Sequence, residues 1–244
     1  MSNVIVGGNV SDAWIKASQY LDRVGGHEYN LVVQVSNPTE ENMNVRNSVN
    51  QFLKIRNFSA VETVSSTIFP KGLWNQKNSR EMFYSRFKQL YPEIRKIKSN
   101  NTGTYFGRLV DWGYERPKNK VNQLEEIINK LRANKAEEKC NYEMSIYDTR
   151  LDYKKSMGFP CMSFISLKIR GSSLDMYAVY RNQHFVKKAY GNYLGLGRLL
   201  EFIASQVELD LGILTCLATH AQLEGGNKTP LRKLFLAYGT PYGG

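Results

Sequence analysis

Cysteine is scarce in this sequence, and the few present are not arranged to bridge. Cys140, Cys161 and Cys216 are the only three among 244 residues, with no CxxC spacing. That excludes a disulfide framework or a thiolate metal site as an organising feature, and reduced thiols are expected. Histidine is equally sparse: His27, His184 and His220 lie far apart without matching acidic spacing, so no metal site is expected. Long apolar runs are missing too. No stretch reaches the roughly eighteen residues that cross a bilayer, and Met1 to Asn9 lacks the charged start and apolar core of a secretory signal. The cytoplasm is the expected compartment. Acidic side chains are in deficit, 22 against 33 basic, for a net charge of +11. This balance asks for an anionic partner without naming it, because a basic surface attracts nucleic acid, phosphorylated metabolites and polyglutamylated cofactors alike. The densest basic cluster runs from Lys71 to Lys98 against only Glu81 and Glu93, and reads as the solvated face of a helix with a polar loop.

Apolar residues make up 42% of the chain, enough for a substantial core in one large domain or two small ones. Ser11-Asp12 caps a helix with Trp14, Ile15, Ser18 and Leu21 at helical spacing, stopped by Gly25-Gly26. A strand follows at Leu31 to Val35, and Pro38-Thr39 opens a helix striped by Met43, Val49, Phe52 and Leu53. The β-branched run Val61 to Phe69 predicts a strand ending at Pro70. Ser79 to Lys98 is a helix whose Pro92 predicts a kink or a separate turn. Tyr105, Phe106, Trp112 and Tyr114, threaded with Arg108 and Arg116, form either a base-stacking surface or a packed loop beneath the core. Leu124, Ile127, Ile128 and Leu131 then predict an amphipathic helix, followed by a strand at Tyr142 to Tyr147.

The stretch Phe159 to Asn192 carries the chemistry. Ser163 to Arg170 alternates, Gly171-Ser172-Ser173 turns, and Leu174 to Arg181 returns. The strands must be antiparallel, so Arg181 falls beside Cys161. A cation there stabilises a thiolate; the alternative is a small buried thiol and a surface arginine. After Asn192 comes an apolar helix on Leu196, Leu199, Leu200, Ile203 and Val207, then a strand at Ile213 to Leu217. Gly195 and Gly197 lie inside that helix, not in a strand-to-helix turn, and so mark close packing, not a dinucleotide fingerprint.

Pro160-Cys161, Arg181 at the end of the next strand and Asn192 eleven residues later (192 − 181 = 11) at the start of a long apolar helix resemble the thymidylate synthase and pyrimidine hydroxymethylase family. Tyr105-Phe106-Gly107-Arg108 is similar to the family's Tyr-Gly loop. The resemblance extends from Gly103 to Glu224. It implies an α/β (α+β) fold, a mixed sheet flanked by helices, in a single domain over 1–244 with a divergent part at 1–102 and a shortened tail at 225–244. It further implies a homodimer, a pyrimidine nucleotide monophosphate as substrate, and 5,10-methylenetetrahydrofolate as one-carbon donor. In the roles it implies, Cys161 adds to ring C6, Arg181 holds phosphate and the thiolate, and Asn192 reads the ring. Tyr105, Phe106, Arg108, Asn182, His184, His220, Gln222 and Glu224 would contact substrate. The last five sit where the family has other residue types, and Lys139-Cys140-Asn141 stands where it has paired arginines. A divergent enzyme and an inactive scaffold binding nucleotides or nucleic acid through its charge are both open at this level.

Overall fold

The protein is described by a computed structural model covering residues 3–113, 120–133, 141–224, 226 and 228–239; Tyr114, Arg116, Lys139 and Cys140 lie outside the described residues. The elements run β1 (Asn3–Asn9), α1 (Val10–Arg23), β2 (His27–Asn37), α2 (Met43–Ile55), α3 (Val61–Ser66), α4 (Arg80–Lys96), α5 (Tyr105–Val110) and α6 (Gln123–Ala133). They continue with β3 (Glu143–Ser145), α7 (Thr149–Asp152), β4 (Met162–Arg170), β5 (Ser173–Tyr180), β6 (Gln183–His184), α8 (Tyr190–Gln206), β7 (Asp210–Gln222) and α9 (Thr229–Tyr238).

Seven strands form one mixed sheet in the order β1-β2-β7-β5-β4-β3, with β6 alongside β7. The period of two decides its faces. Leu31, Val33, Val35, Ile165, Leu167, Met176, Ala178, Leu214, Cys216 and Ala218 are buried, while Val32, Gln34, Thr215 and Leu217 on the opposite face stay partly exposed. On the buried side lies α8, whose first half is so tightly seated that a Cβ on Gly195 would stand 2.8 Å from the Ser65 carbonyl oxygen and one on Gly197 1.8 Å from that of Pro38. The two glycines therefore serve close packing, as their position inside a helix predicts.

That packing overturns the strand predicted at Val61 to Phe69. Val61, Val64 and Ser65 lie at helical spacing and are buried, and α3 docks them onto the glycine face of α8, where a strand's alternation would expose half of them. Glu62 consequently points outward between Arg46 and Arg198, whose hydrogen bonds pull its carboxyl down to about 2. Pro92 does not end α4, which continues to Lys96 because Phe83, Phe87 and Tyr91, all buried, anchor the turns around it. The Tyr105 segment is a helix, not a loop: Thr104 caps it by accepting the Gly107 N–H at 3.1 Å. Two elements escaped the pattern. β1 is short and exposes Val4 and Val6, and α9 buries only Leu231, Leu234 and Phe235.

Candidate active site

The β4–β5 hairpin forms as its alternation predicts, with a register shift between Met162 and Phe164. Met162 pairs with Tyr180, and the Arg181 N–H donates to the Cys161 carbonyl at 3.0 Å, so the arginine and the cysteine are neighbours. The Arg181 guanidinium folds back over the chain entering β4. It lies 3.8 Å from the centre of the Phe159 ring and donates to the carbonyls of Phe159 (3.3 Å) and Pro160 (3.5 Å). A stacked, doubly bonded guanidinium holds its direction better than a free one.

Cys161 and Arg181 open onto a cavity of about 570 Å³ that Tyr105, Asn182, Gln183, His184, Lys188 and Asn192 also line. Lys98 also lines it, and among the described residues no aspartate or glutamate belongs to its wall. Burial raises the Cys161 thiol pKa; Arg181 and Lys188 pull it down but do not win. Lys188 is exposed overall, but desolvation of its ammonium at the cavity wall lowers it, partly offset by Cys161. A thiol and an amine thus face the same space, each made reluctant to ionise by desolvation and each favouring the other's charge.

Two further groups in the wall are unsatisfied. Asn192, 3% exposed, leaves Oδ1 without a hydrogen-bond partner, and Gln183, 1% exposed, leaves Nε2 without one. Gln183 Oε1 accepts from the Tyr193 hydroxyl at 3.4 Å. Buried polar atoms are rarely left unpaired, so a free acceptor and a free donor in one wall are what a polar, flat ligand would satisfy. Asn192 is delivered by the first turn of α8, which grows from a π-helical turn, Phe185–Ala189. Such turns are rare and frequent at functional sites.

The remaining predicted residues divide into three groups. Tyr105, Asn182 and His184 line the cavity. His220, Gln222 and Glu224 stand behind it: the first two donate to Asn182 Oδ1 at 2.8 and 3.2 Å, and Glu224 accepts the Lys187 N–H at 2.8 Å. Phe106 and Arg108 are elsewhere. Phe106 is fully buried, edge-on to Phe69 and Phe87. Arg108 is buried and forms a two-pronged pair with Asp152, with Nη2 to Oδ1 at 2.9 Å, and donates to the carbonyls of Ile146 and Thr102. Helical winding of α5 turns these two side chains into the core while Tyr105 faces the cavity.

No family model matches the chain. It is 30% identical over 122 residues to a "Putative thymidylate synthase" of Methanococcoides burtonii, covering 49% of this chain and 52% of that protein. A Methanosarcina mazei protein of the same name is 28% identical over the same length, and one from Methanosarcina barkeri is 28% identical over 156 residues, 62% of this chain and 63% of its own. Over about half of its length the chain is similar to these "Putative thymidylate synthase" proteins. It spans about half the length of the first of these relatives. In this chain the sequence reading missed Lys188 and Gln183. Both fall between Arg181 and Asn192, and their position inside that bracket was the available signal; Lys188 is exposed overall yet lines the cavity. Among the described residues no helix is long and apolar enough to cross a membrane, and no cluster of three or more metal-ligating side chains occurs.

Proposed function

We propose that this protein transfers a one-carbon unit, as a methyl or hydroxymethyl group, to C5 of a pyrimidine nucleotide monophosphate, by way of thiol addition at C6. The observation that carries this reading is the convergence of Cys161, Arg181, Lys188 and Asn192 on one cavity in whose wall, among the described residues, no carboxylate stands. An anion entering such a wall meets only cations and neutral groups. Arg181 offers its fork to the phosphate, and Asn192, with an unpaired oxygen, meets the ring edge. Addition of the Cys161 sulfur to C6 breaks the C5–C6 double bond and makes C5 nucleophilic; C5 then bonds the one-carbon electrophile, and loss of the C5 proton with departure of the sulfur restores the ring, water completing a hydroxymethyl group or a hydride from a reduced donor completing a methyl group. Before that addition the thiol must lose its proton. Lys188, exposed overall but lining the same cavity with its ammonium lowered below the usual lysine range, would take it, and the thiolate–ammonium pair that results is more stable than either charge alone.

A folate-type donor, 5,10-methylenetetrahydrofolate by the resemblance, supplies the one-carbon electrophile when bound. The same cavity has residues that fit it: Val64, Met157 and Phe159 offer apolar surface to a ring system and Lys98 a cation for its carboxylates. The volume, about 570 Å³, lies within the roughly 300–1,000 Å³ of small-molecule sites. The deciding experiment is mass spectrometry of the protein after incubation with 5-fluoro-dUMP and a methylene donor. A covalent adduct on the Cys161 peptide is the expected result. No adduct, together with tight and salt-sensitive oligonucleotide binding, would leave only a basic scaffold.

The pairing of Lys188 with the thiol makes a separate prediction. Lys188→Met removes the ammonium, leaves burial unopposed by it and moves the Cys161 thiol still higher. Iodoacetamide labelling at pH 8, read on the Cys161 peptide, should slow by about three- to tenfold, since one pKa unit is a factor of ten in thiolate. An unchanged rate would remove Lys188 from the mechanism. The open sheet face around Val32, Thr215 and Leu217 is, on the same family reading, where two copies meet back to back. Sedimentation should then give twice 28.0 kDa; a monomer at micromolar concentration rejects it.

A further inference from the structure

The chain contains three histidines, and the fold strings all of them on one line. His27 Nδ1 lies 3.3 Å from His220 Nε2, with the rings nearly parallel at 13°. His220 Nδ1 is 2.8 Å from Asn182 Oδ1, and Asn182 Nδ2 is 3.3 Å from His184 Nε2. His27 is exposed on the sheet surface, while His184 lines the cavity. β7 makes this possible by lying between β2 and β5 and pairing with β6, so that positions 193 apart in sequence touch.

The amide in the middle has one oxygen and one NH₂, and the two ends demand different things of it. With its oxygen toward His220, as here, it also accepts from Gln222. In that orientation it welcomes a charged, N–H-bearing His220, and its NH₂ requires His184 Nε2 to be a bare acceptor. Protonated His184 would set N–H against N–H. Turned over, the amide offers its oxygen to a protonated His184 and its NH₂ to a neutral His220, and the Gln222 amide, which donates to that oxygen here, must turn with it. One positive charge is accommodated in either place, not both.

We propose that Asn182 and the three histidines form a charge switch, holding a proton on the surface side when the cavity is empty and on His184 when an anion occupies it. It rests on the reading that the cavity takes a nucleotide monophosphate. The groups facing His184 are Glu224, Lys187, Lys188 and His220, with Nδ1 3.9 Å from the Glu224 carboxylate; those facing His220 are His27, Tyr29, Asn182 and Gln222. Burial, the two lysines and His220 keep His184 below the ordinary histidine range, against the pull of Glu224. An anion cancels the lysines' field, His184 gains its proton, the amide turns, and His220 loses its acceptor. Because the proton only changes sides, anion binding takes up no net proton at a pH where the surface side is already charged.

The test is an NMR titration of the three imidazole rings in the whole protein, with dUMP as the ligand and Lys188→Met as a ligand-free way of removing a cation beside His184. Either perturbation should raise the His184 pKa by about half a unit or more and lower that of His220. In Asn182→Ala the rise at His184 should persist while the fall at His220 disappears; Asn182→Asp, which offers an oxygen to both rings, should raise both. If His184 and His220 move together in the unsubstituted protein, or His220 does not move, the switch is wrong. If dUMP does not bind, the nucleotide reading fails while Lys188→Met still decides the switch.

Discussion

Replacing Cys161 by serine should abolish the covalent adduct with 5-fluoro-dUMP and lower turnover of a pyrimidine nucleotide at least a thousandfold, about 4 kcal/mol in the barrier. The physical reason is the acidity of the attacking atom. A serine hydroxyl has the size of the thiol but ionises far less readily, and one lysine already weakened by desolvation cannot make up the difference. Stability should be nearly unchanged, since Cys161 is only partly buried and packs at the rim of the core. Arg181→Lys is the companion variant. It keeps the charge and loses the planar fork that stacks on Phe159, so nucleotide binding should weaken while labelling of Cys161 by iodoacetamide persists. An adduct that survives in Cys161→Ser would place the nucleophile elsewhere.

Arg108→Leu should cost stability, about 3–5 kcal/mol at pH 7, because it strands the Asp152 carboxylate in the interior. Asp152 is 1% exposed. Burial pushes its carboxyl up, yet the hydrogen bonds from Arg108 and the Asp148 N–H outweigh that and hold it below the usual carboxylate range. The sign follows. A depressed folded pKa contributes stability above the unfolded value, near 3.9, and that contribution is lost as pH falls through the folded value. In Arg108→Leu the carboxyl is raised instead, so the difference between the two proteins should shrink as pH drops from 7 toward 4. Urea midpoints at several pH values measure it. Adduct formation by the fraction that folds is the second readout: a core role leaves it intact, whereas loss of nucleotide binding in a stable, folded variant would return Arg108 to the substrate.

Much of the site was legible before any coordinates. The antiparallel hairpin, the meeting of Arg181 with Cys161 and the arrival of Asn192 on an apolar helix all follow from short-range pattern: a pleat of period two, a glycine turn, then helical spacing. The same patterns failed at Val61 to Phe69, where β-branched residues suit a strand but Val61, Val64 and Ser65 also suit one face of a helix. Only the glycine-lined surface of α8 selects between them. Phe106 and Arg108 show a related limit, since a helix and a loop of the same residues send neighbouring side chains in different directions.

Local alternation and turn chemistry thus determined which strands pair and which cysteine meets which arginine, because both are set by contacts within about thirty residues. Which side chains face the cavity, and that His27, His184 and His220 share one hydrogen-bonded line, was decided by β7 inserting between β2 and β5. Strand order in a sheet is a question of long-range packing, and the cavity wall that Lys188 shares with Cys161 exists only once distant elements have met.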